Sequence, residues 1–361
     1  MPREPLVSDD FKLNNFDLLR IFAASQVLVG HSIYHLGMDW PAWWAPFALL
    51  PGVPIFFVIS GFLISAAWER SGGLRAYAEA RILRIFPALW CCVALTVLVF
   101  GAMGVDFARW QTPPWLAAQS VGLIYTPSFL RDFGMGSYNG SLWTIPIELQ
   151  FYCMLPLVYW AIAKAGGSTR LLVGLTVAFA GVAFATRLAF PGFGTHHEGG
   201  GEPLLEKLIR YSFLPHFFMF LAGVLMQRLR VWQWPCIRGK GVLWLMAYLL
   251  VGFTVPGSPL TFVASMLLLT VTTVSFAYTR PDLAEKLLRR NDISYGVYIY
   301  HGLLLNVFLE LGWRGQARYS LALCLGTVVM AWFSWRWVER PCLRLKGRWA
   351  VRRAELARDV R

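Results

Sequence analysis

The sequence predicts an all-α, polytopic membrane protein, and three observations carry that expectation. Of its 361 residues, 57% are hydrophobic, 16% aromatic and only 15% charged, more apolar and less charged than an ordinary globular domain. Apolar runs of roughly 20 residues, the length that crosses a bilayer as a helix, recur along nearly the whole chain. Most of the 33 Lys and Arg fall on alternate connections and at the run ends beside them, the asymmetry that orients membrane helices. Read with that rule, both termini are cytoplasmic.

Ten transmembrane helices are expected, at about 16–36, 52–69, 86–104, 142–163, 171–190, 210–227, 241–255, 259–279, 293–311 and 319–338. The first follows a polar start, "MPREPLVSDDFKLNN", and has span length without a small-residue cleavage site, so it is expected to stay in the protein rather than leave as a signal peptide. The third opens at Pro87, a residue suited to the first position of a helix. Between about 105 and 141 lies the longest connection, with Trp110, Pro113, Pro114, Trp115 and "RDFGMGSYNGS". It exceeds an ordinary connector and reads as a lid or an interfacial segment. The seventh span is short, hence tilted or shallow. The organisation is then a cytoplasmic N-terminal tail (1–12), a membrane domain (13–345) and a basic cytoplasmic C-terminal tail (346–361). Internal repeats are absent from the sequence.

The net charge of +13 and pI near 9.7 do not argue for nucleic acid. Their distribution follows membrane topology, and the basic end "RLKGRWAVRRAELARDVR" (344–361) suits anionic lipid headgroups. All six cysteines (Cys91, Cys92, Cys153, Cys236, Cys324, Cys342) lie in or beside spans without metal-type spacing, so neither a disulfide framework nor a metal site is expected.

Charged and titratable groups are costly in hydrocarbon, so those inside the runs are the candidate functional residues. In "LRIFAASQVLVGH" (19–31), Arg20 and His31 are eleven residues apart. That spacing returns to nearly the same helix face about 16 Å further along. Asp17, three residues before Arg20, is placed to orient it. Snorkelling of Arg20 to headgroups, and a structural hydrogen bond at His31, remain alternatives. His31 and His35 have i,i+4 spacing but no accompanying acidic or cysteine ligand. "RAYAEARILRIFPALW" (75–90) sets Arg81 and Arg84 on one helical face, a cationic clamp of phosphate size or ordinary interfacial charge. "GSLWTIPIELQFY" (140–152) puts Glu148 inside an apolar run, with Tyr138, Asn139 and Trp143 ahead of it. A lone carboxylate in that position must be paired, protonated or facing water, and Trp143 by itself fits an aromatic belt. "SYGVYIYHGLLL" (294–305) holds His301 within a span, and "WRWVERPCLRL" (335–345) places Glu339 beside Arg336 and Arg340, where an interfacial ion pair is the simpler alternative.

Taken in order, "NNFDLLRIFAASQVLVGH", "LPGVPIFFVISGFLIS", "RILRIFPALW", "SLWTIPIELQFY" and "ISYGVYIYHGLLL" followed by "VERP" resemble the integral membrane acyltransferase-3 family over about residues 13–345. The resemblance implies an enzyme that moves an acyl group, commonly acetyl, from acyl-CoA at the cytoplasmic side to a hydroxyl of a glycan or lipid-linked saccharide, in the cell inner membrane, with acyl-CoA as substrate and no further cofactor. It implies catalysis by His31 with Glu148, donor binding by Arg20, Arg81 and Arg84, support from Asp17, His301 and Glu339, and acceptor binding by Trp143, Tyr138 and Asn139. Ala80 stands where many members carry a further arginine. The chain ends shortly after the tenth run, so the soluble hydrolase-like domain of longer members is expected to be absent. A CoA thioester is already activated, so the catalyst must hold an anionic donor and deprotonate a hydroxyl beside the thioester carbonyl. Direct base catalysis and an acyl-histidine intermediate both fit. The competing class, a transporter or flippase of an amphipathic solute, would also bury Arg, His and Glu but lacks a matched pair of interrupted helices.

Overall fold

The computed structural model describes residues 11, 13–193, 203–254, 257–289 and 291–346. Most of the two expected tails, including the basic end, lies outside these residues. Every regular element among the described residues is helical. The principal helices are α1 (Phe16–His35), α2 (Gly52–Arg70), α3 (Leu74–Ala102), α4 (Thr112–Ser120), α5 (Thr144–Lys164), α6 (Thr169–Ala189), α7 (Phe217–Arg228), α8 (Gly241–Thr254), α9 (Pro259–Ala277), α10 (Ser294–Glu310) and α11 (Ala317–Ser334). A helix therefore stands at each of the ten expected places, and α4 lies in the long connection. Six stretches, Ala42–Arg70, Leu74–Ala102, Gly140–Lys164, Thr169–Ala189, Pro259–Ala277 and Ala317–Leu343, are long and apolar enough to cross a membrane. Such runs form helices because a lipid-facing backbone must satisfy its own hydrogen bonds.

Two starts differ from expectation. α7 begins at Phe217, after turns and bends at 211–216, and not near residue 210. Pro87 does not open a span but sits inside the continuous 29-residue α3, which runs from the segment bearing Arg81 straight into the apolar stretch. Proline is tolerated within membrane helices because neighbouring groups re-satisfy the carbonyl it frees.

The chain divides into two compact units, Met1–Ala23 with Pro51–Arg70 and Pro146–Arg290, and Ala24–Leu50 with Ser71–Ile145 and Asn291–Arg361. In the first, α2 and α7 pack with almost no gap. A Cβ on Gly61 would lie 2.0 Å from the Phe220 carbonyl oxygen, and one on Gly223 would lie 2.3 Å from that of Val58, so only glycine permits this backbone approach. Phe57, Phe151, Phe217 and Phe220 fill the space beside that contact. Asn15 pins the start of α1 to the end of α9: its backbone amide donates to Ala277 O, its side-chain amide to Thr279 O and Arg280 O, and its Oδ1 accepts from Ala284 N.

In the second unit α10 is the hub. It packs on α3 and α11 and holds the long connection. Asn306 Oδ1 accepts from Met135 N at 2.9 Å, while its Nδ2 donates to Ser137 O, Tyr138 O and Gly302 O. Glu310 Oε1 accepts from Gly134 N at 2.6 Å. Gly134 has φ +62° and no room for a Cβ, which would lie 2.0 Å from Asn306 Oδ1. Within the connection Trp115 is fully buried, packed edge-on to Tyr138 at 5.2 Å, and donates from Nε1 to Tyr125 O.

Candidate active site

In the second unit two helices bring their histidines together. His31, four residues before the end of α1, sets Nδ1 3.1 Å from Nε2 of His301 on α10. His301 is fully buried, and His31 is partly exposed. His301 Nδ1 lies 3.1 Å from the Val297 carbonyl oxygen, which can only accept, so this nitrogen carries the hydrogen. Neutral His301 then offers the Nε2 lone pair, on which His31 Nδ1–H and the Ser141 hydroxyl, 2.7 Å away, both converge. This network assigns the tautomers and leaves His31 Nε2 as the basic nitrogen of the pair. Ser141 is placed in turn by Asn139, which caps its short helix by accepting from Ser141 N at 3.3 Å and anchors it to α10 by donating to Ile299 O at 2.7 Å. Gly302 makes room: a Cβ there would lie 2.1 Å from Asn139 Oδ1.

A second polar node joins α3, α10 and the end of α11. Arg84 reaches Asp292 at 2.5 Å and Glu339 at 3.6 Å. Asp292 also accepts from the backbone and side chain of Ser294, capping α10. Glu339, 1% exposed, accepts from Ser334, which accepts from Tyr300. The sequence neighbours Arg336 and Arg340 expected beside Glu339 are exposed instead. The residues 335–339 form a π turn, whose wider winding turns Trp335 and Glu339 inward and Arg336 outward. Arg81, one turn before Arg84, is partly exposed.

The remaining expected residues fall as follows. In the first unit, Arg20 pairs with Asp17 at 3.5 Å, as the spacing predicts. Glu148 accepts from Ser60 Oγ at 3.2 Å and from the Tyr152 hydroxyl, and it is partly exposed. In the second unit, Trp143 is partly exposed at the end of the short helix Gly140–Trp143. Tyr138 and Asn139 are not presented to a ligand. They are 1% and 2% exposed, with the Tyr138 hydroxyl donating to Gln119 Oε1 and Asn139 engaged as above. Burial pushes the Tyr138 phenol well above its ordinary range, and the nearby Cys92 thiol adds to the effect, so it remains a donor.

Several contributors escaped the sequence reading. Ser141 lies within a quoted motif but has no feature of its own that marks it. Asp292 is a helix-capping residue by position. Asn306 is a polar residue inside an apolar run, a signal that was there to be used. The first unit also holds a recess of about 200 Å³ lined by Arg70, Arg228 and Arg230 with Glu69 and Gln227. There the Glu69 carboxylate is met by Arg228, Gln227 and Tyr159.

With this geometry established, the comparisons with known proteins are informative. The family model described as an acyltransferase domain matches residues 13–336. Nodulation protein 10 of Rhizobium leguminosarum bv. viciae is 32% identical over 95% of this chain and 97% of that protein. The O-acetyl transferase of Shigella phage Sf6 is 27% identical over 92% of this chain and 96% of its own length. Peptidoglycan O-acetyltransferase OatA of Listeria monocytogenes is 25% identical over 45% of this chain and 26% of that protein. No solved structure matches the chain. A family match over nearly the whole chain, and the phage and Listeria relatives that carry acetyl transfer in their names, agree with the sequence motifs: the chain belongs to the acyltransferase-3 family.

Proposed function

We propose that the protein is a multi-pass inner-membrane O-acyltransferase, acetyl-CoA being the expected donor and a hydroxyl of a glycan or lipid-linked saccharide the acceptor. The observation that carries this reading is the His31–His301–Ser141 cluster, in which a buried neutral imidazole orients a second, accessible one. In the proposed reaction His31 Nε2 takes the proton of the acceptor hydroxyl as its oxygen attacks the thioester carbonyl, and the positive charge then formed is stabilised through Nδ1–H against His301. The proton passes to the departing thiolate, giving CoA thiol and the O-acyl ester. His301 is a positioning residue. In the second unit Arg81 meets the donor phosphates, with Arg84 contributing from within its ion-pair node; Arg20 is proposed as a donor contact on the sequence motif alone. Glu148 and Trp143 receive the acceptor, Tyr138 and Asn139 supporting them by holding the connection in shape. The names of the phage and Listeria relatives support an O-acetyl product, and the latter a carbohydrate acceptor. The same reading takes all ten helices across the membrane with both termini cytoplasmic and the basic end on anionic lipid.

The test is release of free thiol from acetyl-CoA by the purified protein. His31→Ala is expected to abolish release while the protein stays monodisperse. Substantial transfer by that variant would remove His31 from catalysis.

A further inference from the structure

Among the described residues, a cation without a counter-charge stands in the first unit. Arg187, in the last turn of α6, lines a cavity of about 540 Å³ together with Phe193, Tyr248, Ser258, Thr261 and Phe262. Its guanidinium carbon is 3.2 Å from the centroid of the Phe262 ring and 5.4 Å from that of Phe193. Among the described residues no carboxylate pairs with it, and its Nη1 is buried without a hydrogen bond, as is the Ser265 hydroxyl in the same cavity wall. Aromatic faces offset part of a cation's desolvation, but a guanidinium has five N–H donors in a fixed fork, and rings do not replace an oxyanion.

A second feature faces the same space. The 19-residue α9 begins there, with Ser258 at its N-cap and Pro259 and Thr261 in its first turn. Ser258 makes no side-chain capping bond, so the first-turn amides and the positive end of the helix dipole are left for an anion. Leu188 in the cavity wall is 65% exposed, and Leu250, Phe253 and Leu260, on the two helices that contribute to that wall, are 64–69% exposed, an apolar surround suited to hydrocarbon.

We propose that this cavity binds a phosphate ester carried on a lipid, with Arg187 and the start of α9 on the phosphate oxygens and the apolar surround against the chains. The phosphate can come from a bilayer phospholipid or from a polyprenyl carrier, and the two are separable. Purified full-length protein is titrated by native mass spectrometry with dioleoyl phosphatidylglycerol, with a polyprenyl monophosphate and with dioleoylglycerol as the phosphate-free control. Wild type is expected to bind at least one phosphate lipid in preference to dioleoylglycerol. Arg187→Gln should lower that affinity by about 10- to 100-fold, and Arg187→Lys should recover part of it, lacking the planar fork. Loss confined to phosphatidylglycerol assigns the site to bilayer lipid, and loss confined to polyprenyl phosphate assigns it to a carrier. Arg170→Gln at the exposed start of α6 should change nothing. If Arg187→Gln is not monodisperse, Thr261→Phe, which fills the cavity and keeps the cation, replaces it. Unchanged phosphate-dependent binding in the variant used overturns the proposal. Thiol release plays no part in this readout, so the result is independent of the acyl-transfer reading.

Discussion

His301→Ala separates a positioning role from a merely structural one. The substitution removes the acceptor for two donors, His31 Nδ1 at 3.1 Å and Ser141 Oγ at 2.7 Å. In the resting protein His31 loses a neutral hydrogen bond. In the transition state it becomes an imidazolium and loses a charge-assisted one, about 1.5–3 kcal/mol. Subtracting the neutral bond of about 1 kcal/mol lost in the resting state leaves about 0.5–2 kcal/mol; each 1.36 kcal/mol is tenfold in rate, so kcat should fall about 2- to 30-fold, with KM for acetyl-CoA unchanged because the His301 side chain is fully buried. His301→Gln, whose amide oxygen can accept from His31, should recover part of the loss. Ser141→Ala keeps the histidine pair and removes one neutral bond that is the same before and during reaction, so kcat should change less than in His301→Ala, by about fivefold at most. The assay is thiol release under saturating donor, on protein checked by size exclusion. An unchanged kcat in His301→Ala, or a loss expressed only in KM, would refute the orientation argument.

Three further outcomes follow from the geometry. Arg84→Ala removes the guanidinium that reaches buried Glu339 and should cost about 3–5 kcal/mol of stability, read as a lower Tm in detergent; Arg84→Ala with Glu339→Gln should recover part of it, and if acyl-CoA binding returns as well, Arg84 is structural rather than donor-binding. Glu148→Gln keeps an oxygen to accept from Ser60 and Tyr152, so it should slow transfer to the acceptor while acyl-CoA binding persists, and lost donor binding would contradict the assignment. Gly61→Ala drives a methyl into the Phe220 carbonyl and should destabilise the protein by about 1–3 kcal/mol or more, whereas Gly174→Ala, with open space around it, should be neutral in the same melt.

The helices were legible in the sequence because a bilayer leaves a chain few choices: long apolar runs must be helical, and all ten expected places hold a helix. Proline-based boundary rules from soluble proteins failed at Pro87 for the same reason. Asp17–Arg20 was legible since one helical turn fixes it. Partners distant in sequence were not. His301 and Ser141 are 160 residues apart and Arg84 and Asp292 are 208 apart, and no local pattern announces such a meeting. Glu339 shows the opposite failure, because its flanking arginines suggested a partner that the π turn carries away. Tyr138 and Asn139 were recognised as important from their setting near Trp143, yet their polar atoms point inward to hold the connection rather than outward to a ligand.

The long connection was expected to be a lid or an interfacial segment, and its fastenings bear on which motions it allows. Asn306 makes three hydrogen bonds to it and Glu310 a fourth, Gly134 has no clearance from α10, and Trp115 and Tyr138 are sealed beneath. A segment tied at so many points behaves as a lintel and not as a hinged door. On the proposed acyl-transfer reading, an acceptor approaching this unit would meet a framework already set by these bonds, so selection there would rest on fit at entry.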